Sequence, residues 1–176
     1  MSSHQRRDNL ILIGLGANLG SSHGGPRATL EAALADLVQS DIRLVAVSPW
    51  YESAPVPVSD QPWFVNGVAS LETELGPEAL LARLHDLEQT FGRTRRERWE
   101  ARVLDLDLLD YHGLVRAGPA PILPHPRMAD RAFVLLPLRD VVPGWRHPVT
   151  GQTVDELIAA LPSGQQIRRM EPCAGA

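Results

Sequence analysis

Two aspartates stand at alternate positions in an otherwise apolar stretch, RVLDLDLL at residues 102–109. The alternation predicts a β-strand on which Asp105 and Asp107 project from the same face, about 7 Å apart, while the leucines enter a core. Carboxylates this close repel each other unless a cation lies between them. Because Mg²⁺ typically takes one or two carboxylates together with substrate phosphates, the spacing indicates a magnesium site. A solvated strand face that carries two aspartates by chance explains the spacing equally well.

A loop dense in arginine precedes this strand. Five of the eleven residues 92–102 (GRTRRERWEAR) are arginine, and the stretch has no apolar periodicity. Guanidinium groups bind phosphate oxygens in pairs, and phosphoryl transfer needs metal and arginine to neutralise charge. The loop and the aspartate strand together favour an enzyme of phosphoryl transfer, with Trp99 placed to stack on a base or a guanidinium. A solvated charged loop, or a nucleic-acid contact, is the alternative.

All 17 basic residues of the chain are arginine, and lysine is absent. A P-loop phosphate site and Schiff-base chemistry both require lysine, so both are excluded. Any anion is therefore bound by arginine, by backbone N–H groups or by a metal.

Aromatic, amide and histidine side chains form further candidates. Phe64 and Asn66 follow a proline-rich loop (residues 53–62) and share one face of the next predicted strand. An aromatic platform beside an amide suits a flat heterocycle, although Phe64 in a core and Asn66 in a turn is as good an interpretation. His125 lies between two prolines, outside regular structure, and Arg131 follows it.

Length and composition predict a single domain, and that domain must position the candidate residues. The chain has 176 residues, of which 44% are hydrophobic and 22% charged, which is ordinary for one globular domain. We expect a single domain over residues 1–176, with a core from about residue 10 to 161 and a mobile tail from about 164 to 176. The single cysteine, Cys173, excludes a disulfide framework and a cysteine-rich zinc site.

Apolar periodicity predicts the element order β-α-β-β-α-β. The strands are expected at residues 10–15, 42–50, 64–75 and 102–111, and the helices begin at Pro26 and Pro77. This order predicts an α+β, ferredoxin-like fold, with two helices on one face of an antiparallel sheet. An apolar segment at residues 132–138 and a last helix at residues 154–161 follow.

Several partners and locations are disfavoured by the sequence. No apolar run approaches the roughly 18–20 residues of a membrane span, so we expect no membrane partner. The polar start, residues 1–9, has no secretory signal pattern, so we expect a cytoplasmic protein. The net charge of −4 disfavours nucleic acid as a partner. We also expect a monomer.

Four stretches resemble the 6-hydroxymethyl-7,8-dihydropterin pyrophosphokinase family of folate biosynthesis. They are GLGANLG at residues 14–20, YESAPVPVSDQPWFVN at 51–66, GRTRRERWEARVLDLDLL at 92–109 and LPHPRMADRAFVLLPL at 123–138. The resemblance keeps its order from about residue 10 to 161. It implies an ATP-dependent enzyme that transfers diphosphate to the pterin hydroxymethyl group and releases AMP.

The resemblance also implies roles for individual residues. Asp105 and Asp107 would bind two Mg²⁺ ions that bridge the ATP triphosphate, and the catalytic phosphate contacts would come from Arg93 and Arg102. The nucleotide-binding positions would be Arg98, Trp99, His125 and Arg131. The pterin would lie between Phe64 and Phe133, with its edge read by Asn66 and by backbone groups at Ser53 and Val56. Glu88 matches a helix residue with a structural role beside the site.

This sequence departs from the family pattern at several positions. Glu100-Ala101 stand where Gly-Pro is usual, Ala54 replaces a common Pro, and Phe64 stands where Tyr is frequent. Ala120 and Ile122 lack the basic and hydroxyl side chains that some members place near the triphosphate. These departures leave ATP affinity open, while the chemistry is expected to stand.

Two hypotheses remain at this point. In the first, the protein is the pyrophosphokinase, and its arginine loop closes over bound ATP. In the second, it is a non-catalytic ferredoxin-like module that binds a small ligand or a nucleic acid through that loop. The second hypothesis gives no use to Asp105 and Asp107 on one face.

Overall fold

The computed structural model describes residues 9–39, 41–92 and 103–173. Its strands are β1 (Ile11–Ala17), β2 (Ile42–Val47), β3 (Tyr51–Ser53), β4 (Phe64–Thr73), β5 (Asp105–Tyr111) and β6 (Ile167–Arg169). Its α-helices are α1 (Pro26–Leu37), α2 (Pro77–Thr90), α3 (Ala132–Val141) and α4 (Val154–Ala159), and a 3-10 turn spans Met128–Asp130. The predicted residues of the arginine loop, Arg93, Arg98, Trp99 and Arg102, lie outside the described residues.

The strands form one antiparallel sheet in the order β5-β1-β4-β3-β6, with β2 also paired to β4. Helices α1 and α2 each begin with a proline after an extended glycine, a preferred way to start a helix. Both helices bury their apolar residues against alternate residues of β1, among them Ile11, Ile13 and Leu15. The predicted ferredoxin-like α+β fold is confirmed.

The predicted second strand, residues 42–50, is interrupted in the structure. β2 ends at Val47, the Ser48 N–H still donates to the Val68 carbonyl oxygen (2.9 Å), and the ladder with β4 begins again at Tyr51. Pro49 lacks the N–H that a continuous ladder needs. The Ser48 hydroxyl fills part of the gap, because it accepts a hydrogen bond from the Val68 N–H (3.0 Å).

The other face of the sheet carries a second layer formed by α3 and α4; α4 begins where the last helix was predicted, but its place on this face was not predicted. The apolar segment at residues 132–138 is part of helix α3, which packs with α4 over Leu12, Val68 and Leu109 of the sheet. The buried Asp110 closes one side of this cluster by accepting hydrogen bonds from Trp145 Nε1 (2.8 Å) and the Gly113 N–H (2.9 Å). The two layers bury the sheet on both sides, except where the second layer ends.

The expectation of a mobile tail from about residue 164 needs correction. Ile167–Arg169 form β6, which pairs with β3 at the edge of the sheet. The Met170 N–H extends the attachment by donating to the Trp50 carbonyl oxygen (2.8 Å). The physical reason is that β3 otherwise leaves one side of its backbone unpaired, and the tail supplies the missing partners.

Among the described residues, no helix has both the length and the apolar character needed to cross a bilayer.

Candidate active site

The register of the sheet brings residues from distant parts of the chain into one row. Gly16 of β1 pairs with Asp105 on one side and with Asn66 on the other. In the next row, Gly14 lies between Asp107 and Val68. Directly paired residues point to the same face, so the two aspartates and Asn66 project on one side of a strip without side chains. We call this surface, made of Gly14, Gly16, Asn66, Asp105 and Asp107, the open face.

The open face begins where the cover of α3 and α4 ends. Leu109 is buried beneath those helices, whereas Asp107 and Asp105, on the same strand, are half-buried. Between the aspartates, Leu106 points into the opposite core, as the alternation predicts. The Leu106 N–H donates to Oε1 of the buried Glu88 on α2 (2.8 Å). Glu88 therefore fixes the backbone between the two carboxylates, which is the structural role expected of it.

The donor set of the open face fits a magnesium ion that is shared with a substrate. Within the described part of the chain, no group of three or more His, Cys, Asp or Glu residues converges on one point. A pair of half-exposed carboxylates is insufficient for an all-protein metal cage, but it suits Mg²⁺, which keeps positions for phosphate oxygens and water.

His125 lies beside the aspartates, which its position between two prolines did not by itself predict. Its Nε2 is 3.9 Å from Asp107 Oδ1, and its Nδ1 accepts the Arg127 N–H (3.2 Å). Burial, followed by the positive charge of Arg131, lowers the pKa of His125 from 6.5 to about 4. The ring is therefore neutral at neutral pH, and its remaining hydrogen is on Nε2. His125 presents an N–H donor to the open face and adds no positive charge.

Asn66 is held rigidly at the other side of the glycine strip. It is buried, and its Nδ2 donates to the Ser53 hydroxyl (2.7 Å). A Cβ added to Gly16 would lie only 3.1 Å from Asn66 Oδ1, so a side chain at that position would press on the amide. The amide oxygen of Asn66 thus lies directly over Gly16. The alternate glycines 14 and 16 were visible in the sequence, but the pattern alone did not assign them to the site.

A narrow cleft beside Ser53, the hydrogen-bond partner of Asn66, is lined by three of the five residues predicted to bind the pterin. It is lined by Ser53, Ala54, Val56, Ala132, Phe133, Gln165, Gln166 and Ile167. Phe64 pairs with Ser53 at the edge of this cleft. The Arg131 guanidinium lies 5.4 Å from the centre of the Phe133 ring, within the range of a cation–π interaction. Ser53, Val56, Phe64, Asn66 and Phe133 are therefore brought together, with Arg131 beside them.

Asn18 was missed at the sequence level. It is buried just after β1, and its Nδ2 donates to Gln61 Oε1 (3.1 Å) and to the Pro62 carbonyl oxygen (3.2 Å). These bonds tie the proline-rich loop to the end of the strand that carries the glycine strip. The signal that was available is its place in GLGANLG, directly after the strand.

Tyr51 links β3 of the sheet to helix α3. Its hydroxyl donates to Asp140 Oδ2 (2.5 Å). Burial, and then the bond and the negative charge of Asp140, raise the pKa of Tyr51 from 10.0 to about 12. The neutral hydroxyl is therefore favoured in the folded state.

Tyr51→Phe is expected to change how stability depends on pH at the alkaline end. In the wild type, the contribution of Tyr51 to the free energy of unfolding is complete below about pH 10. It is lost as the pH rises toward 12, because the unfolded chain releases the tyrosine proton first. The chain has two tyrosines and no lysine, so few other side chains titrate in this window. Denaturant unfolding at a series of pH values measures the free energy of unfolding, which should fall less steeply between pH 10 and 12 for Tyr51→Phe than for the wild type. The pKa of Tyr111 is also raised, by burial, so Tyr111→Phe is the comparison that shows how much the second tyrosine contributes to the same fall. Identical slopes for wild type and Tyr51→Phe would contradict the assignment.

Comparison with known proteins identifies relatives across most of the chain. A model of the family 7,8-dihydro-6-hydroxymethylpterin-pyrophosphokinase (HPPK) matches residues 12–143. The chain is 44% identical over 153 residues to the 2-amino-4-hydroxy-6-hydroxymethyldihydropteridine pyrophosphokinase of Pseudomonas aeruginosa, covering 86% of this chain and 91% of that protein. It is 39% identical over 161 residues to the protein of the same name from Methylorubrum extorquens, covering 90% of this chain and 97% of that protein.

Solved structures show the same fold. The crystal structure of wild-type Plasmodium falciparum HPPK-DHPS superposes with a TM-score of 0.65 at 13% identity, covering 86% of this chain. This chain spans 41% of that longer one. At this identity, the likeness concerns the fold alone.

Proposed function

Because the chain belongs to the 7,8-dihydro-6-hydroxymethylpterin-pyrophosphokinase family, we propose that the open face and the adjoining cleft are its active site. The protein is an ATP-dependent pyrophosphokinase that transfers diphosphate to 6-hydroxymethyl-7,8-dihydropterin in folate biosynthesis. In this reaction the substrate hydroxyl releases its proton and its oxygen bonds to the β-phosphorus of ATP. The bond from the β-phosphorus to the oxygen that bridges it to the α-phosphorus breaks, and AMP leaves with that oxygen. The observation that carries the site assignment is the register that places Asp105 and Asp107 across a bare glycine strip from Asn66.

Asp105 and Asp107 are the residues proposed to hold two Mg²⁺ ions together with ATP. When bound, the metal supplies neutralisation of the triphosphate charge and polarisation of the reacting phosphate. Glu88 keeps the two carboxylates in place through the Leu106 N–H. His125 donates from Nε2 toward the phosphate side of the face, and Arg131 brings a positive charge to the same region. Arg93, Arg98, Trp99 and Arg102 are proposed to complete the nucleotide site from outside the described residues.

The cleft is proposed to hold the pterin once its walls move apart, because its cavity volume is about 0 Å³ in this structure. Phe64 and Phe133 would contact the faces of the ring, and the Asn66 amide would read its edge. Ser53 orients that amide, because its hydroxyl accepts one Asn66 N–H and leaves the amide oxygen for the ligand side. The shallow strip over Gly14 and Gly16 then lets the hydroxymethyl group approach the phosphates without meeting a side chain.

We also propose that the enzyme acts as a monomer in the cytoplasm, without nucleic acid or membrane. The excess of acidic residues, with a net charge of −4, gives no general attraction for nucleic acid.

Product analysis tests the function directly. The protein is incubated with ATP, Mg²⁺ and 6-hydroxymethyl-7,8-dihydropterin, and the nucleotide products are separated. AMP, formed in equal amount to the pterin diphosphate, is the expected result. ADP would indicate an ordinary kinase, and no turnover would favour a binding module. Either of those results would contradict the proposal.

Phe64→Ala is expected to weaken pterin binding far more than ATP binding. Loss of one stacked ring costs about 1–3 kcal/mol in the comparable case of bases stacked on aromatic side chains. Calorimetry with each ligand measures the two affinities separately. Trp63→Ala is the matched control, because this neighbouring aromatic ring lies against the Arg168 guanidinium (5.3 Å) and has no proposed contact with the pterin. Equal losses of both affinities in Phe64→Ala would place Phe64 in the core and not in the site.

A further inference from the structure

The last described part of the chain reaches both walls of the cleft. One wall is the edge of β3 with Ser53 and Ala54, and the other is the start of α3 with Ala132 and Phe133. Gln165, Gln166 and Ile167 lie between them and line the same cleft. These three residues lie after residues 12–143, the part of the chain that the family model matches, so the family match assigns them no role.

Gln165 binds the wall formed by α3. The first N–H groups of a helix have no partner within the helix, and no side chain of the preceding residue, Arg131, caps α3. The Ala132 N–H donates instead to Gln165 Oε1 (2.9 Å). Gln165 Nε2 in turn donates to the Asp130 carbonyl oxygen (2.9 Å). One amide thus holds the backbone on both sides of Arg131 and directly before Phe133.

The two residues after Gln165 bind the opposite wall. The Gln166 carbonyl oxygen accepts the Ala54 N–H (3.0 Å), and Ile167 pairs with Ser53 as β6 begins. Ser53 is the residue whose hydroxyl holds Asn66. Three consecutive residues therefore connect the Phe133 wall to the Ser53–Asn66 wall.

We propose that Gln165 is a positioning residue for the pterin, and that this C-terminal stretch sets the width of the pterin cleft. The proposal rests on the proposed function. Helix α3 is anchored to the sheet through its buried residues Val134, Leu135 and Leu138, whereas Phe133 is only partly buried at the side of that cluster. The Ala132 N–H, one residue before Phe133, is bound by the Gln165 amide, and the residues that follow Gln165 bind β3. Loss of that amide loosens one wall of the cleft and leaves Asp105 and Asp107 untouched.

Steady-state kinetics of Gln165→Met test the proposal. Methionine keeps the length of the side chain and removes its hydrogen bonds to Ala132 and Asp130, together with a longer one to the Pro162 carbonyl oxygen (3.4 Å). The pterin KM is expected to rise about tenfold, since each bond contributes about two- to tenfold. The turnover number and the ATP KM are expected to change by less than about threefold. Gln165→Glu keeps the acceptor for the Ala132 N–H and loses the donor to Asp130, so its pterin KM should lie between those of wild type and Gln165→Met.

Gln39→Met is the matched control, because it makes the same chemical change at an exposed position after α1. It is expected to leave both KM values unchanged. A wild-type pterin KM in Gln165→Met, with or without a lower melting temperature, would overturn the proposal, as would equal rises in the pterin and ATP KM. Absence of AMP formation by the wild type would instead overturn the proposed function. The two failures are therefore distinguishable.

Discussion

Asparagine at both positions 105 and 107 is expected to lower turnover by about 10²–10³-fold while the fold is kept. A neutral amide binds Mg²⁺ too weakly to displace water, and the charge neutralisation that a metal gives a reacting phosphate is worth several kcal/mol. Both side chains are half-buried on the open face, and neither belongs to the core. Turnover is measured as AMP formation, and the fold is followed by circular dichroism.

The control for this double variant is Asp86→Asn, which makes the same change at an exposed position on α2. It is expected to keep wild-type turnover at every Mg²⁺ concentration. Near wild-type AMP formation by the double variant would show that the metal is held elsewhere.

Alanine at Gly67 is expected to destabilise the protein by about 3 kcal/mol, the upper part of the range for an overfilled core. A Cβ at this position would lie 2.6 Å from a ring carbon of Trp50, which is buried in the core between the sheet and α1. The Trp50 ring cannot retreat easily, because its Nε1 donates to Glu31 on α1 (3.2 Å). For a chain of this length the melting temperature should fall by about 6–12 °C. Gly67 directly follows Asn66 on β4, so pterin affinity should fall as well.

Gly144→Ala is the control for Gly67, because a Cβ at Gly144 meets no atom within 4 Å. Its melting temperature should stay within about 2 °C of wild type, or rise slightly through the stiffer unfolded chain. A similarly small shift for Gly67→Ala would contradict the prediction, because it would mean that the Trp50 ring can move away from position 67 at little cost in stability.

Local patterns predicted the elements of the fold well. Alternating polar and apolar residues placed Asp105 and Asp107 on one face of a strand and the intervening Leu106 in the core, as the structure has them. The Gly-Pro pairs at residues 25–26 and 76–77 predicted the starts of α1 and α2. Both signals are local, because strand alternation and helix initiation depend on neighbours within a few residues.

Contacts between distant segments were beyond these patterns. Ile167–Arg169 carry no strong strand signal, and they form β6 only because β3 offers an unpaired edge. The apolar residues of α3 permit either a strand or a helix, and its place on the second face depends on Leu12, Val68 and Leu109 beneath it. A short apolar run cannot distinguish these outcomes by periodicity alone.

The open face likewise combines features that local sequence predicts with features that only long-range pairing decides. The types of its reactive residues, and the alternation that aims the two carboxylates to one side, follow from the order of amino acids along residues 102–109. The position of Asn66 across from Asp105 depends on the pairing of Gly16 with both, which joins residues about 50 and 90 places apart in the chain. Gln165, which caps a helix 33 residues earlier, likewise has no local signature. The identity of each residue determines the chemistry of its side chain, whereas the distance between two reactive groups depends on register and packing across the whole sheet.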